Sequence, residues 1–284
     1  MVIDCHCHAG KGDGFTGPWD TRASLSKYLR RADTAGIERT VVFPPFHSDY
    51  RTANRELAAV VRSHRGRLIG FAFVHPARDA GRIESLVREA VLEHGFKGIK
   101  VHRHDARITR EVCETARRHS LPILYDVLGE TPQVELLARE FPTVAFVIPH
   151  LGSWADDWAA QKTLVDTLVR CPNVYADTSG VRRFDVLAEA ARRAGPKLLF
   201  GSDGPFCHPG LELAKVRCLP LASVVRRDVE GLTLLRLIAR AGRYQPPRRQ
   251  ARAETRRTTS STGSSGRGEA GSHAASFPGA PRRA

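Results

Sequence analysis

Eight short apolar runs alternate with amphipathic helical stretches along the first 200 residues, and few folds accept that pattern. The runs cover 2–8, 40–43, 68–74, 98–102, 122–126, 144–148, 174–176 and 197–200. Helical spacing of apolar residues marks 24–35, 54–63, 83–93, 111–119, 133–140, 158–169 and 186–193 between them, then 211–216 and 219–240. Strands that are nearly continuously apolar are buried on both faces, as in a parallel sheet covered by helices. The alternation therefore predicts an α/β fold, a (β/α)8 TIM barrel. A doubly wound open sheet is the rival. It needs a glycine-rich phosphate loop after its first strand, and Gly10, Gly12 and Gly14 are wrongly spaced for one.

The barrel is expected over residues 1–242. From Arg243 onward large apolar residues nearly vanish, and Arg, Ser, Thr, Gly and Ala dominate. Such a segment cannot bury enough surface to offset its ordering entropy, so 243–284 is expected to be a disordered tail. The tail also explains the basic charge. Its nine Arg and two Glu contribute +7 of the net +14. The remainder lies in pairs on helix faces, such as Arg30-Arg31 and Arg192-Arg193, that modestly favour anionic substrates. An inert tail is preferred over a nucleic-acid tether, and nucleic acid is not the expected partner. No window approaches the roughly 20 apolar residues of a membrane span. A chain opening on a strand, without a basic and apolar leader, is expected in the cytoplasm. The six scattered cysteines are read as thiols, mostly packing.

Chemistry-bearing side chains collect at the strand ends, where barrels of this type carry their active sites. The first strand reads Asp4-Cys5-His6-Cys7-His8. Alternation puts Asp4, His6 and His8 on one face and Ile3, Cys5 and Cys7 on the other. Two imidazoles two residues apart can reach one divalent cation. Four consecutive ligands cannot surround an ion when they alternate across a strand, which disfavours a zinc knuckle. The third strand ends at His75, the fourth at Lys100 and His102, the fifth at Asp126, the sixth at His150 and the eighth at Asp203. That set suits metal-assisted hydrolysis: ligands hold the cation, a carboxylate accepts the proton of water, and a further His polarises the substrate. Asp203 is placed for the carboxylate role and His150 for the polarising one. Lys100, His102 and His75 are read as substrate-binding. Trp19, Trp154 and Trp158, near the loops after strands one and six, are read as an aromatic wall or simple packing.

Asp4-Cys5-His6-Cys7-His8, Pro149-His150-Leu151-Gly152 and Leu199-Phe200-Gly201-Ser202-Asp203, in that order, resemble the amidohydrolase-related family of metal-dependent TIM-barrel enzymes. The branch it resembles includes α-amino-β-carboxymuconate-semialdehyde decarboxylase and γ-resorcylate decarboxylase, and Gly95-Phe96-Lys97-Gly98-Ile99-Lys100-Val101-His102 is also typical of it. The resemblance spans residues 1–240. It implies one divalent metal ion, zinc first and manganese second, held by His6, His8 and Asp203, with His150 as the catalytic imidazole. The sequence departs from the family twice. Asp126 stands where a His ligand is common, and is read as a ligand or a partner of a substrate hydroxyl. Leu232 stands where the last helix usually has Asn.

The expected function is hydrolysis of an amide, ester or lactone in a small, anionic substrate. The alternative is a non-oxidative decarboxylase built on the same constellation. A TatD-like nuclease and a non-catalytic barrel rank lower, the nuclease because 99–102 carries no Glu. A second metal bridged by a carboxylated Lys100 is disfavoured against substrate binding. A homodimer is compatible with such a barrel.

Overall fold

Each of the eight apolar runs becomes a strand, and the eight strands lie side by side in sequence order, every neighbouring pair parallel. The computed structural model describes residues 1–14 and 22–245. Trp19 and the tail beyond residue 245 fall outside the described residues. The strands are β1 (Ile3–His8), β2 (Arg39–Phe43), β3 (Leu68–Phe73), β4 (Gly98–His102), β5 (Ile123–Asp126), β6 (Phe146–Ile148), β7 (Val174–Asp177) and β8 (Leu198–Leu199). Helices α1 (Leu25–Ala35), α2 (Tyr50–Ser63), α3 (Ile83–Leu92), α4 (Arg110–His119), α5 (Pro132–Glu140), α6 (Trp158–Arg170), α7 (Phe184–Ala194) and α8 (Pro209–Arg217) follow the strands one by one. The sheet closes where the residues after β8 meet β1. Cys5 N donates to Phe200 O at 2.9 Å and His8 N to Gly204 O at 2.6 Å. This is the TIM barrel that the alternation predicts.

The core has two shells. Ile3, Val41, Phe43, Phe71, Leu124, Val147 and Leu199 fill the barrel interior. Outward residues such as Val42, Ile99, Val101, Ile148 and Ala176 pack with the helices. Phe71 is housed by the absence of a side chain at Gly98, where an added Cβ would stand 2.4 Å from its ring. A Gly98→Ala variant is expected to lose about 1–3 kcal/mol, the usual cost of overpacking a filled core. A lowered urea midpoint at unchanged slope is the measurement.

Three local expectations change. First, β1 does not alternate simply. Its pairing with β2 slips by one residue between Asp4 and Cys7, a β-bulge. Asp4 thereby faces away from the imidazoles, bonded to the Tyr28 hydroxyl at 2.7 Å, and Cys5 joins Ile3 in the interior while Cys7 packs in the outer shell. Second, α2 begins at Tyr50 because Asp49 caps it, accepting from the amides of Arg51 and Thr52. Third, 219–240 is not one helix. It splits into α9 (Ser223–Arg227) and α10 (Thr233–Ile238) around a wide turn. Within that turn Val229 O accepts from Phe200 N, and Gly231 lies against Ile3, where a Cβ would stand 2.8 Å from the side chain. Leu234 of α10 joins the interior cluster, with Leu235, Leu237 and Ile238 packed against it, so the helix stoppers the end where the strands begin. Leu232 is partly exposed in the turn. Residues 243–245, the start of the expected tail, are held to α4: Gln245 N donates to Arg118 O and Ser120 Oγ to Arg243 O.

Candidate metal centre

The bulge in β1 delivers two consecutive inward imidazoles, those of His6 and His8, to the open end of the barrel. Across the seam, the turn after β8 presents Asp203. Asp4 braces that turn, accepting from Ser202 N at 2.9 Å and from the Ser202 hydroxyl. Gly201 lets the elements close up, since a Cβ there would lie 3.1 Å from both Asp177 and His6. His6 Nε2 and His8 Nε2 stand 3.2 and 3.4 Å from the same oxygen, Asp203 Oδ1. A tetrahedral cation with bonds of 2.0–2.1 Å sets its ligand atoms about 3.3–3.4 Å apart. The donor set therefore fits a divalent ion. The other nitrogen supports this: His6 Nδ1 donates to Asp177 Oδ2 at 2.8 Å, which leaves the Nε2 lone pair facing the trio. A carboxylate behind a ligating imidazole fixes its tautomer and raises its basicity.

A second polar group faces the first. His150 follows β6, and both it and Leu151 hold left-handed backbone, at φ 58° and 52°. Asp203 does the same at φ 54°. Such conformations cost about 1–3 kcal/mol each in non-glycine residues and gather where surroundings over-determine a site. His150 N donates to Asp177 Oδ1 at 3.1 Å, and its Nδ1 donates to Ser179 O at 2.9 Å. Its Nε2 lies 3.4 Å from Asp126 Oδ2, and His102 Nε2 lies 3.2 Å from that oxygen. Asp126 is thus the partner of two imidazoles and lies outside the trio of His6, His8 and Asp203.

Electrostatics separates the groups. Burial disfavours a charged His6, but Asp177 and Asp203 outweigh it and push the imidazole up to about 9, so a cation taking Nε2 must displace a proton there while Nδ1 stays bonded to Asp177. Burial drives His8 down to about 4 despite Asp203. Burial raises the Asp203 carboxyl, yet His6 and His8 hold it well below the usual carboxylate range. His150 is raised overall, with Asp126 and Asp177 overcoming burial. His102 and Lys100 are both lowered, chiefly by burial.

These residues surround a cavity of about 350 Å³. His6, His8, Lys100, His102, Asp126, His150 and Asp203 all line it, and so do Phe46, Trp154 and Phe206. Trp154 meets His150 edge-on at 4.8 Å, and Phe206 lies 5.3 Å from His8. His75 is placed elsewhere. It stands outside the lining, and its Nδ1 accepts from the amides of Ala77 and Arg78 in its own turn. Trp158 is also off the cavity, beneath the Lys162 ammonium. Sequence reasoning missed Asp177, the fully buried residue that orients both His6 and His150. The signal was there. It directly follows the apolar run 174–176, at the strand end where functional residues are sought.

No curated protein matches the chain in sequence. Solved structures match in fold. The 2,6-dihydroxybenzoate decarboxylase from Rhizobium is 16% identical with a TM-score of 0.65, covering 84% of this chain and 99% of that one. A probable 2-pyrone-4,6-dicarboxylic acid hydrolase from Acinetobacter baumannii, with citric acid bound, is 14% identical with a TM-score of 0.66 over the same shares. A dihydroxybenzoic acid decarboxylase from a Polaromonas species, holding manganese and the inhibitor 2-nitroresorcinol, is 17% identical with a TM-score of 0.62, covering 84% and 96%. The model of the amidohydrolase family matches residues 3–230, most of the barrel. The chain belongs to the amidohydrolase family.

Proposed function

We propose that the protein is a metal-dependent hydrolase of an amide, ester or lactone in a small planar substrate. One observation carries the reading: beside the His6, His8 and Asp203 trio, one cavity is lined by a carboxylate that its imidazole neighbours push down, Asp203, and by an imidazole that Asp126 and Asp177 push up, His150. Groups whose environments drive their protonation apart are the mark of a base and an acid in the same reaction. A divalent cation at His6, His8 and Asp203, zinc or manganese, supplies Lewis acidity when bound. Asp203 takes the proton of the attacking water. His150 gives its Nε2 proton to the leaving nitrogen or oxygen, and Asp126 stabilises the imidazolium that carries it. Phe46, Trp154 and Phe206 limit access of bulk water. The volume suits a one-ring substrate and falls within the usual range for small-molecule sites.

A second reading, non-oxidative decarboxylation, is favoured by those aromatic walls and by the likeness in fold to two dihydroxybenzoate decarboxylases. It uses His150 as the proton donor to a ring carbon and needs no base for water. The two are separated in water enriched in oxygen-18, with carboxylated lactones, esters, amides and hydroxybenzoates offered to metal-loaded protein. Hydrolysis is expected to place solvent oxygen in the organic product without release of carbon dioxide. Carbon dioxide release with no label in the organic product would falsify the hydrolase reading.

A further inference from the structure

Among the described residues no polar group hydrogen-bonds the side-chain nitrogen of Lys100. The residue lies on β4 between the outward-facing Ile99 and Val101, and its side chain runs inside the barrel to the cavity. Lys100 is wholly buried. The ammonium stands over the face of Phe43, 4.9 Å from the ring centre. Nearby carboxylates are already engaged: Asp126 with His102 and His150, Asp203 with His6 and His8, Asp105 with the Tyr50 hydroxyl. A buried ammonium without acceptors is costly, and its three donors here can be satisfied only from the cavity.

We propose that Lys100 seats a carboxylate of the substrate, so that the site takes single-ring organic acids and rejects their neutral analogues. A carboxylate matches one compact ammonium. A phosphate group is usually met by several cationic or backbone donors, and this wall offers Lys100 with His102 beside it. The Phe43 ring that bears the Lys100 nitrogen also lies 5.2 Å from His6 and 4.6 Å from His8, so the anchor and the trio border the same cavity. Phe46, Trp154 and Phe206 then flank a flat body between them. Lys100 is in this sense a specificity residue. The inference rests on the cavity being the substrate site and not on which bond is cleaved.

The test is calorimetric titration of the full-length protein as purified, its metal content measured, with benzoate and with benzamide as the neutral isostere. Benzoate is expected to bind at least tenfold more tightly than benzamide. Lys100→Met and Lys100→Gln should each lose at least tenfold in benzoate affinity, with metal content and benzamide binding unchanged. Lys100→Arg should recover much of the loss. Undiminished benzoate binding by both neutral variants overturns the proposal, because the anion then sits on the cation. No benzoate binding by the wild-type protein overturns it too. So does covalent chemistry at residue 100, either a borohydride-trapped adduct with a carbonyl compound or a carbamate signal from labelled bicarbonate. The titration measures no turnover, so its failure is distinguishable from failure of the hydrolase reading.

Discussion

Asp203→Asn protein is expected to fold normally and to turn over on the order of 10²–10⁴ times more slowly, the span usual for a lost general base. Oδ1 faces both His6 Nε2 and His8 Nε2, so the side chain serves the cation trio, and the two imidazoles keep it ionised against the cost of burial. An amide is nearly the same shape. The bracing of the β8 turn by Asp4 runs through Ser202 and is untouched, so the fold should survive. The amide has no charge to hold a cation and no basicity to accept a proton. Metal per chain by elemental mass spectrometry and kcat by steady-state assay report the two losses separately. Retained activity at wild-type metal content would remove Asp203 from both roles.

The second large effect is expected at a residue that contacts neither substrate nor cation. Asp177 accepts at Oδ2 from His6 Nδ1 and at Oδ1 from the amides of His150 and Ser179 and from the Ser179 hydroxyl. In Asp177→Asn the oxygen is retained by the three donors on the Oδ1 side. The new NH2 group then points at His6 Nδ1 and forces the opposite tautomer, with the hydrogen on Nε2. That hydrogen occupies the lone pair the cation requires. Metal affinity should fall about 10–100-fold, as for other carboxylates behind ligating imidazoles. Competition against a chromogenic chelator measures it. Wild-type affinity in this variant would mean that His6 does not need Asp177 to present its nitrogen.

The barrel was readable because parallel strands and covering helices impose different periods on the same chain, and that contrast survives without any contact information. The strand-end rule then gathered His6, His8, Lys100, His102, Asp126, His150 and Asp203, which the structure brings around one cavity. His75 shows where the rule runs out. It lies two residues beyond β3, far enough for its ring to fold back and cap its own turn. Asp4 shows a second limit, since a one-residue slip in pairing reverses the faces of a strand and leaves no mark in local composition. Asp177 was hidden by strand length: ending the seventh strand at Ala176 stopped one residue short of the group that orders the site. The split of the last helical stretch was also unreadable, because its cause is a bond between Phe200 and Val229 that belongs to the tertiary fold.

The seam between the first strand and the turn after the last one has a consequence for how the molecule is assembled. His6 and His8 precede Asp203 by nearly two hundred residues of chain. Without that join the barrel would be an open sheet whose first edge has no neighbour, and the trio would not exist. An ion bound across that join ties the two ends of the sheet together, acting on the longest loop the barrel contains. Its uptake would thus secure the closed form against reopening at that join.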